Sequence, residues 1–168
     1  PVRSCAIKSI LDRAKVGGSA LGKVEKSVLA KILNYCLDVS TGNALLRFSE
    51  GKISAVHGGD ESEYAILEMP ELFEVMAEYL KDTYSGCTFA GASYDHSIAT
   101  ALWEIDSDSM IDTYKEALEA HGMTYDRLKP ALRLTTSDVG VSGANIYPML
   151  LVGRDEKSLT LGSPLKLE

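Results

Sequence analysis

The sequence predicts an α+β domain in which helices cover one face of an antiparallel sheet of hairpins. In several segments apolar residues recur at three- and four-residue spacing, which is the period of an amphipathic helix. Between these segments, short β-rich runs come in pairs that flank turn residues. A ββα order occurs twice, at residues 44–83 and 88–121, without a repeat of individual residues. Short turns join antiparallel strands, so the sheet is predicted to be antiparallel.

Two helices are predicted before the first strand. Residues 4–14 carry their apolar side chains on one side, and a glycine-rich break at 17–22 follows. Residues 24–37 carry one apolar stripe at helical spacing. Cys36 lies on that stripe, and we interpret it as a core residue rather than a nucleophile.

The first ββα unit is predicted from a turn and a helix start. Two apolar runs within residues 44–56 flank a polar turn, in which Gly51 supplies the positive φ that a tight hairpin needs. A helix is predicted to start at Met69 and Pro70, because proline is tolerated where its missing N–H would have no partner. Glu71 suits the positive end of the helix dipole.

The second unit follows the same order. Residues 88–92 and 98–105 flank a polar tip, and the second run alternates between two sets of side chains, as a strand does. Residues 106–109 offer several side-chain oxygens that could cap a helix, and Gly122 marks its end.

Three further strands complete the predicted sheet. They lie at residues 131–136, 145–152 and 159–161, with a long polar turn between the first two. The predicted core consists of Leu46, Phe48, Ile53, Leu72, Phe73, Met76, Leu102, Trp103, Ile111, Leu118 and Leu132.

Composition excludes several classes of protein. The 168 residues are 45% hydrophobic and 24% charged, which is typical of a folded domain and not of a disordered chain. No apolar run approaches the roughly 18–20 residues that span a bilayer, and the first residues given lack the basic, apolar and small-residue blocks typical of a signal peptide, so we expect a cytoplasmic protein with no membrane partner. The sequence begins at Pro1, and we expect it to be part of a longer protein.

Charge divides the chain unevenly. Residues 1–31 carry seven basic and two acidic groups, whereas residues 50–120 carry three basic and sixteen acidic groups. We therefore divide the chain into a basic helical arm at 1–22 and a single α+β domain at 23–168. The arm could bind single- or double-stranded DNA, or it could dock on the acidic part of the same chain. The residues predicted to contact nucleic acid are Lys8, Arg13, Lys15, Lys23 and Lys26.

The polar turn before the last strands is a second candidate site. Its glycines let backbone N–H groups approach an anion, and its hydroxyl groups add donors. The residues predicted to bind a small ligand are Arg133, Thr135, Ser137, Asp138, Ser142 and Asn145. The alternative is that Asp138, Ser142 and Asn145 form hydrogen bonds within their own turn. Neither nucleotide-binding glycine motif occurs here.

No metal, cofactor or catalytic residue is assigned. The acidic loop at 57–63 lacks the ligand order of an EF-hand, and His57 and His96 are too far apart in sequence to indicate a zinc site. Asp95 precedes His96 in a turn, but no nucleophile motif accompanies this pair. Three separated cysteines without a C-x-x-C pair are typical of reduced thiols. We expect a protein that is not an enzyme.

Several short motifs resemble a known family. They are Ala44-Leu45-Leu46-Arg47 with Gly51-Lys52-Ile53-Ser54-Ala55-Val56, then Tyr64-Ala65-Ile66-Leu67, and later Arg133 to Gly140. This order resembles the phage- and plasmid-like proteins grouped as domain of unknown function 932. The sequence departs from that pattern in the acidic loop before Tyr64 and at Thr136-Ser137-Asp138. The resemblance implies a mobile-element origin and a bacterial cytoplasmic setting, and it implies no activity.

Three hypotheses about function remain. The first is a non-enzymatic binding module of a phage- or plasmid-related protein, with nucleic acid as its partner. The second is a small-ligand or enzymatic domain centred on residues 133–145. The third is a structural module that assembles as a homo-oligomer through a sheet edge or a helix face.

Overall fold

The fold class is α+β, as predicted. A computed structural model describes residues 1–57, 66, 68–95, 97–123, 127–153, 157–160 and 165–167. These residues form α-helices and two antiparallel sheets, one of two strands and one of six. The chain divides into two compact units, Pro1–Leu67 with Asp138–Val141, and Glu68–Ser137 with Ser142–Glu168.

The elements occur in the predicted order. The helices are α1 (Ile7–Arg13), α2 (Lys26–Asp38), α3 (Met69–Thr83) and α4 (Asp108–Ala120), and 3-10 turns occupy Ser4–Ala6 and Ser19–Lys23. The strands are β1 (Leu45–Ser49), β2 (Lys52–His57), β3 (Cys87–Asp95), β4 (Ile98–Ile105), β5 (Leu128–Thr136), β6 (Ala144–Val152), β7 (Lys157–Thr160) and β8 (Leu165–Leu167). The first hairpin and α3 are consecutive in sequence but belong to different compact units.

The first unit is built around the β1–β2 hairpin. Glu50 and Gly51 both have positive φ, at 51° and 71°, which is the geometry of a two-residue hairpin turn. Ala6 and Ile10 pack with Val56 in its core. Residues 1–3 run beside β2, because the N–H of Ile53 donates to the Pro1 carbonyl. Residues 1–22, predicted as a basic arm, therefore lie within this unit.

The prediction that Leu46 and Phe48 belong to the core is wrong. Leu46 is 49% exposed and Phe48 is 63% exposed. The N-terminal helical segments contact β2, and β1 is the other strand of a two-stranded sheet. Leu46 therefore remains at the surface although its partner on β2, Val56, is buried.

The second unit is a six-stranded sheet whose strand order is β3-β4-β5-β6-β7, with β8 also paired to β6. One face carries Ala101, Trp103 and Leu134, which pack against Leu80 of α3. We call it the Trp103 face. The predicted core residues Leu72, Phe73, Met76 and Leu132 pack against this cluster.

The opposite face of this sheet carries a second apolar cluster. Side chains alternate along a strand, so Leu102 lies on the face opposite Trp103, although both were predicted to belong to one core. Ala131, Met149 and Leu151 are buried there. We call it the Arg133 face, after the arginine at its centre.

No helix in the described part of the chain is both long enough and apolar enough to cross a membrane.

Candidate functional site

Arg133 lies on a central strand of the six-stranded sheet. It is opposite Leu102 of β4 and Tyr147 of β6 in the strand register, so the three side chains share one face. Its guanidinium carbon lies 4.5 Å from the centre of the Tyr147 ring. This cation–π contact holds the long side chain against the sheet.

The guanidinium of Arg133 has unused hydrogen-bonding capacity. Its Nε atom is buried and has no hydrogen-bond partner within the described residues. None of the salt bridges formed by the described residues includes Arg133, whereas Lys129 on the same face pairs with Glu104. A buried donor without an acceptor costs roughly 1–3 kcal/mol. An anionic ligand that accepted this hydrogen bond would remove that cost.

A cavity of about 400 Å³ lies beside Arg133. Strands β3, β4, β5 and β6 all contribute to its lining. A register shift between Phe89 and Gly91 marks a bulge in β3, and bulges bend a sheet locally. The cavity is lined by Ala90, Gly91, Ala92, Ser93, Thr100, Leu102, Arg133, Met149 and Leu151.

The lining combines one cation with hydroxyl and apolar groups. The Thr100 hydroxyl lies 3.3 Å from that of Thr135, so these two side chains form a polar pair across β4 and β5. Leu102, Met149 and Leu151 provide the apolar part. Ligand sites of this kind bury an apolar body and orient it with a few polar groups.

The structure divides the predicted 133–145 site. Arg133 and Thr135 are two residues apart on β5, so both side chains lie on the Arg133 face. Ser137 follows the end of β5 and is buried. Ser142 and Asn145 form hydrogen bonds within the turn, because the Asn145 amide donates to the Ser142 hydroxyl at 3.0 Å and to the Gly143 carbonyl at 2.8 Å. These contacts favour the alternative interpretation, in which Ser142 and Asn145 form hydrogen bonds within their own turn instead of binding a ligand.

Asp138 belongs to the first compact unit and pairs with an arginine there. An Nη atom of Arg47 lies 3.0 Å from its carboxylate, and the Nε–H of Arg47 donates to the Ser54 hydroxyl at the same distance. The Asp138 and Arg47 side chains are 23% and 16% exposed. Asp138 therefore pairs with Arg47, contrary to the alternative in which it bonds within its own turn.

The basic residues predicted to bind nucleic acid differ in their surroundings. Lys8, Lys15, Lys23 and Lys26 are exposed. Arg13 donates to the carbonyl groups of Thr41 and Gly42 at 2.7 and 2.9 Å. Its guanidinium therefore connects α1 to the segment that follows α2 through hydrogen bonds.

A zinc site that includes both His57 and His96 cannot be assessed from the described residues. His96 and residues 58–63 lie outside them. In the part of the chain that the structure covers, no group of three His, Cys, Asp or Glu side chains could hold a metal ion. The imidazole of His57 lies against Gly140, in the same compact unit.

The fold changes the acidity of Cys87. This residue packs against the cluster around Trp103 at the start of β3. Burial disfavours the thiolate and raises the pKa of this thiol above its ordinary value. Cys87 is therefore poorly suited to act as a nucleophile.

Several residues of this site were missed at the level of sequence. Leu102 lies on β4, and Tyr147, Met149 and Leu151 lie on β6, so only strand pairing brings them beside Arg133 on β5. The available signal was an arginine between Leu132 and Leu134 in an apolar strand.

Comparison of the chain with protein-family models, with curated proteins and with solved structures found no match.

Proposed function

We propose that the second compact unit is a binding module for a small organic anion. A carboxylate or phosphate group would pair with Arg133, and an apolar body would contact Leu102, Met149 and Leu151. The observation that carries this proposal is the buried Nε of Arg133, which has no hydrogen-bond partner among the described residues and lies beside the cavity. Arginine suits such a group because its planar guanidinium matches a carboxylate or phosphate in two-point contact.

A titration with 1-naphthyl phosphate tests the proposal, because this probe joins a phosphate to an apolar ring. Binding is followed by the ¹H–¹⁵N resonance of the Arg133 side chain and by calorimetry. We expect the Arg133→Met variant to lose at least tenfold in affinity, since a hydrogen bond to a charged group is worth about 1.5–3 kcal/mol.

Lys129→Met is the matched control. It removes one positive charge from the same face, but that lysine is paired with Glu104. If both variants lose affinity equally, the attraction is a general effect of charge and the proposed site is wrong. An Arg133 resonance that stays fixed at millimolar probe would also contradict it.

A second candidate function is nucleic-acid binding by the first unit. It is favoured by the exposure of Lys8, Lys23 and Lys26 in a segment of net positive charge. Fluorescence anisotropy with single-stranded DNA across a salt series tests it. Replacing these three lysines by glutamine should abolish binding, whereas the charge-matched set at Lys52, Lys81 and Lys115 should not. Absence of binding at low salt would remove this candidate.

The mobile-element origin, the cytoplasmic setting and the homo-oligomeric assembly expected from the sequence stay predictions.

A further inference from the structure

A second cavity, of about 460 Å³, lies on the Trp103 face of the six-stranded sheet, beside α3. Its lining includes four alanines from three elements: Ala77, Ala92, Ala99 and Ala101. Larger side chains at these positions would fill the space between the helix and the sheet. The cavity is therefore a consequence of small residues placed together by β3, β4 and α3.

Aromatic rings form much of the remaining lining. The Phe73 and Trp103 ring centres are 6.5 Å apart with 28° between their planes, and the Phe89 and Trp103 centres are 6.0 Å apart with 66° between theirs. Tyr94 lines the same cavity. Phe89 is 62% exposed, so a large apolar ring stands at the edge of the cavity. The faces of such rings carry negative partial charge, which attracts cations.

The ionic surroundings also favour a cation. Glu74 lines the cavity and is the charged residue among its lining groups. Helix α3 also carries Glu71, Glu78 and Asp82, against one basic residue, Lys81. The helix beside the cavity therefore carries a net negative charge, which favours a cation over an anion there.

We propose that this cavity binds a small organic cation with a quaternary ammonium group. The ammonium group would lie near the Glu74 carboxylate and against the exposed ring of Phe89, beside the buried Trp103. Its alkyl groups would cover the alanines that line the cavity. Aromatic side chains with one acidic group select such ligands because the positive charge is spread over methyl groups and is weakly hydrated.

Trp103 provides a direct test, because it is the only tryptophan of the chain. Choline is titrated at constant ionic strength while the emission of Trp103 is recorded. Its neutral carbon analogue, 3,3-dimethylbutan-1-ol, has the same shape without the charge. We expect a saturable change with choline and at least fivefold weaker binding of the analogue.

Two pairs of variants separate the contributions of charge and aromatic ring. Glu74→Gln should weaken choline binding several-fold, whereas Glu71→Gln makes the same change on an exposed residue of α3 outside the cavity and should have a much smaller effect. Phe89→Leu should weaken binding, whereas Phe89→Tyr should preserve it. Glu74 and Phe89 are exposed, so these variants are expected to fold, which circular dichroism checks.

Three results would overturn the proposal. The first is no saturable change of Trp103 emission at 100 mM choline. The second is equal affinity for choline and its carbon analogue, which would indicate an apolar cavity without charge selection. The third is equal behaviour of the Glu74→Gln and Glu71→Gln variants. Arg133→Met should leave choline binding unchanged, so this proposal and the anion site can fail separately.

Discussion

Arg133 and Tyr147 face each other across β5 and β6, and the guanidinium carbon lies 4.5 Å from the centre of the tyrosine ring. The register explains the contact, because directly opposed residues of antiparallel strands place their side chains on the same face. The ring supports the arginine without using its hydrogen-bond donors. The guanidinium is thereby held at the cavity, with an Nε donor that has no acceptor among the described residues.

Replacing Tyr147 should weaken anion binding through this contact. We expect Tyr147→Leu to lower the affinity for 1-naphthyl phosphate about two- to tenfold, since a cation–π contact is worth roughly 0.5–2 kcal/mol. Tyr147→Phe retains the ring and should bind as the unmodified protein does. Calorimetry measures both variants. An equal loss in the two would assign the effect to the tyrosine hydroxyl and contradict the role of the ring.

Two neighbouring threonines should respond in opposite ways to the same substitution. Thr136 is fully buried, and its hydroxyl has no hydrogen-bond partner among the described residues. Thr136→Val removes this cost and should raise the free energy of unfolding by about 1 kcal/mol. Thr135→Val removes the contact with Thr100 and should lower it by about 1 kcal/mol. Urea unfolding measures both, and a destabilised Thr136→Val variant would show that the hydroxyl has a partner.

Gly140 should tolerate no side chain. Its φ is +70°, and an added Cβ would lie 2.6 Å from Cδ2 of His57. We expect Gly140→Ala to cost at least about 1 kcal/mol, from backbone strain and from the contact. Gly143→Ala is the control, since nothing lies within 4 Å of its Cβ position.

The His57 contribution can be isolated by thermal unfolding. Adding His57→Ala to Gly140→Ala should recover part of the loss in Tm, because the ring is removed and the strain in φ remains. If the double variant is as destabilised as the sum of the two single variants, the contact with His57 plays no role.

The Arg47–Asp138 pair should matter for stability, unlike an exposed pair elsewhere in the chain. Asp138→Asn leaves a partly buried guanidinium without its counter-ion and should cost about 1–2 kcal/mol. The control is Asp112→Asn, because Asp112 lies 3.6 Å from Lys115 in an exposed helical pair. Such pairs contribute about 0.3–0.5 kcal/mol. Equal losses in urea unfolding would show that burial does not strengthen the Arg47 pair.

Cys87 should react slowly with iodoacetamide in the folded protein. Burial raises its pKa, so a smaller fraction is thiolate at pH 8 and a higher pH is needed to reach the same rate. Cys5 is exposed and provides the reference in the same sample. Mass spectrometry of the digested protein follows both sites. Modification of Cys87 as fast as Cys5 at pH 8 would contradict this, and unfolding in urea should remove the difference.

Much of the candidate site could not be predicted because it depends on register. Arg133 and Thr135 were identified from a polar stretch, but Tyr147, Leu102 and Met149 carry no local signal. Their proximity follows from the pairing of β5 with β4 and β6. The polar turn was also predicted as one site, whereas its acid pairs with Arg47, 91 residues earlier in the chain.

The sequence alone determined the class and order of the elements. These depend on local features: apolar periods of 3.6 and 2 residues, Pro70 at the start of α3, and Gly51 in the first hairpin turn. Short-range steric effects and hydrogen bonds are enough to form a helix, a strand or a turn from such features. Tertiary structure decided which faces are buried and which side chains meet. Leu46 and Phe48 remain exposed because the helical segments cover β2. Arg133 meets Tyr147 and lies beside a cavity because strand pairing brings β3, β4, β5 and β6 together. These outcomes depend on long-range packing, which no local pattern of residues encodes.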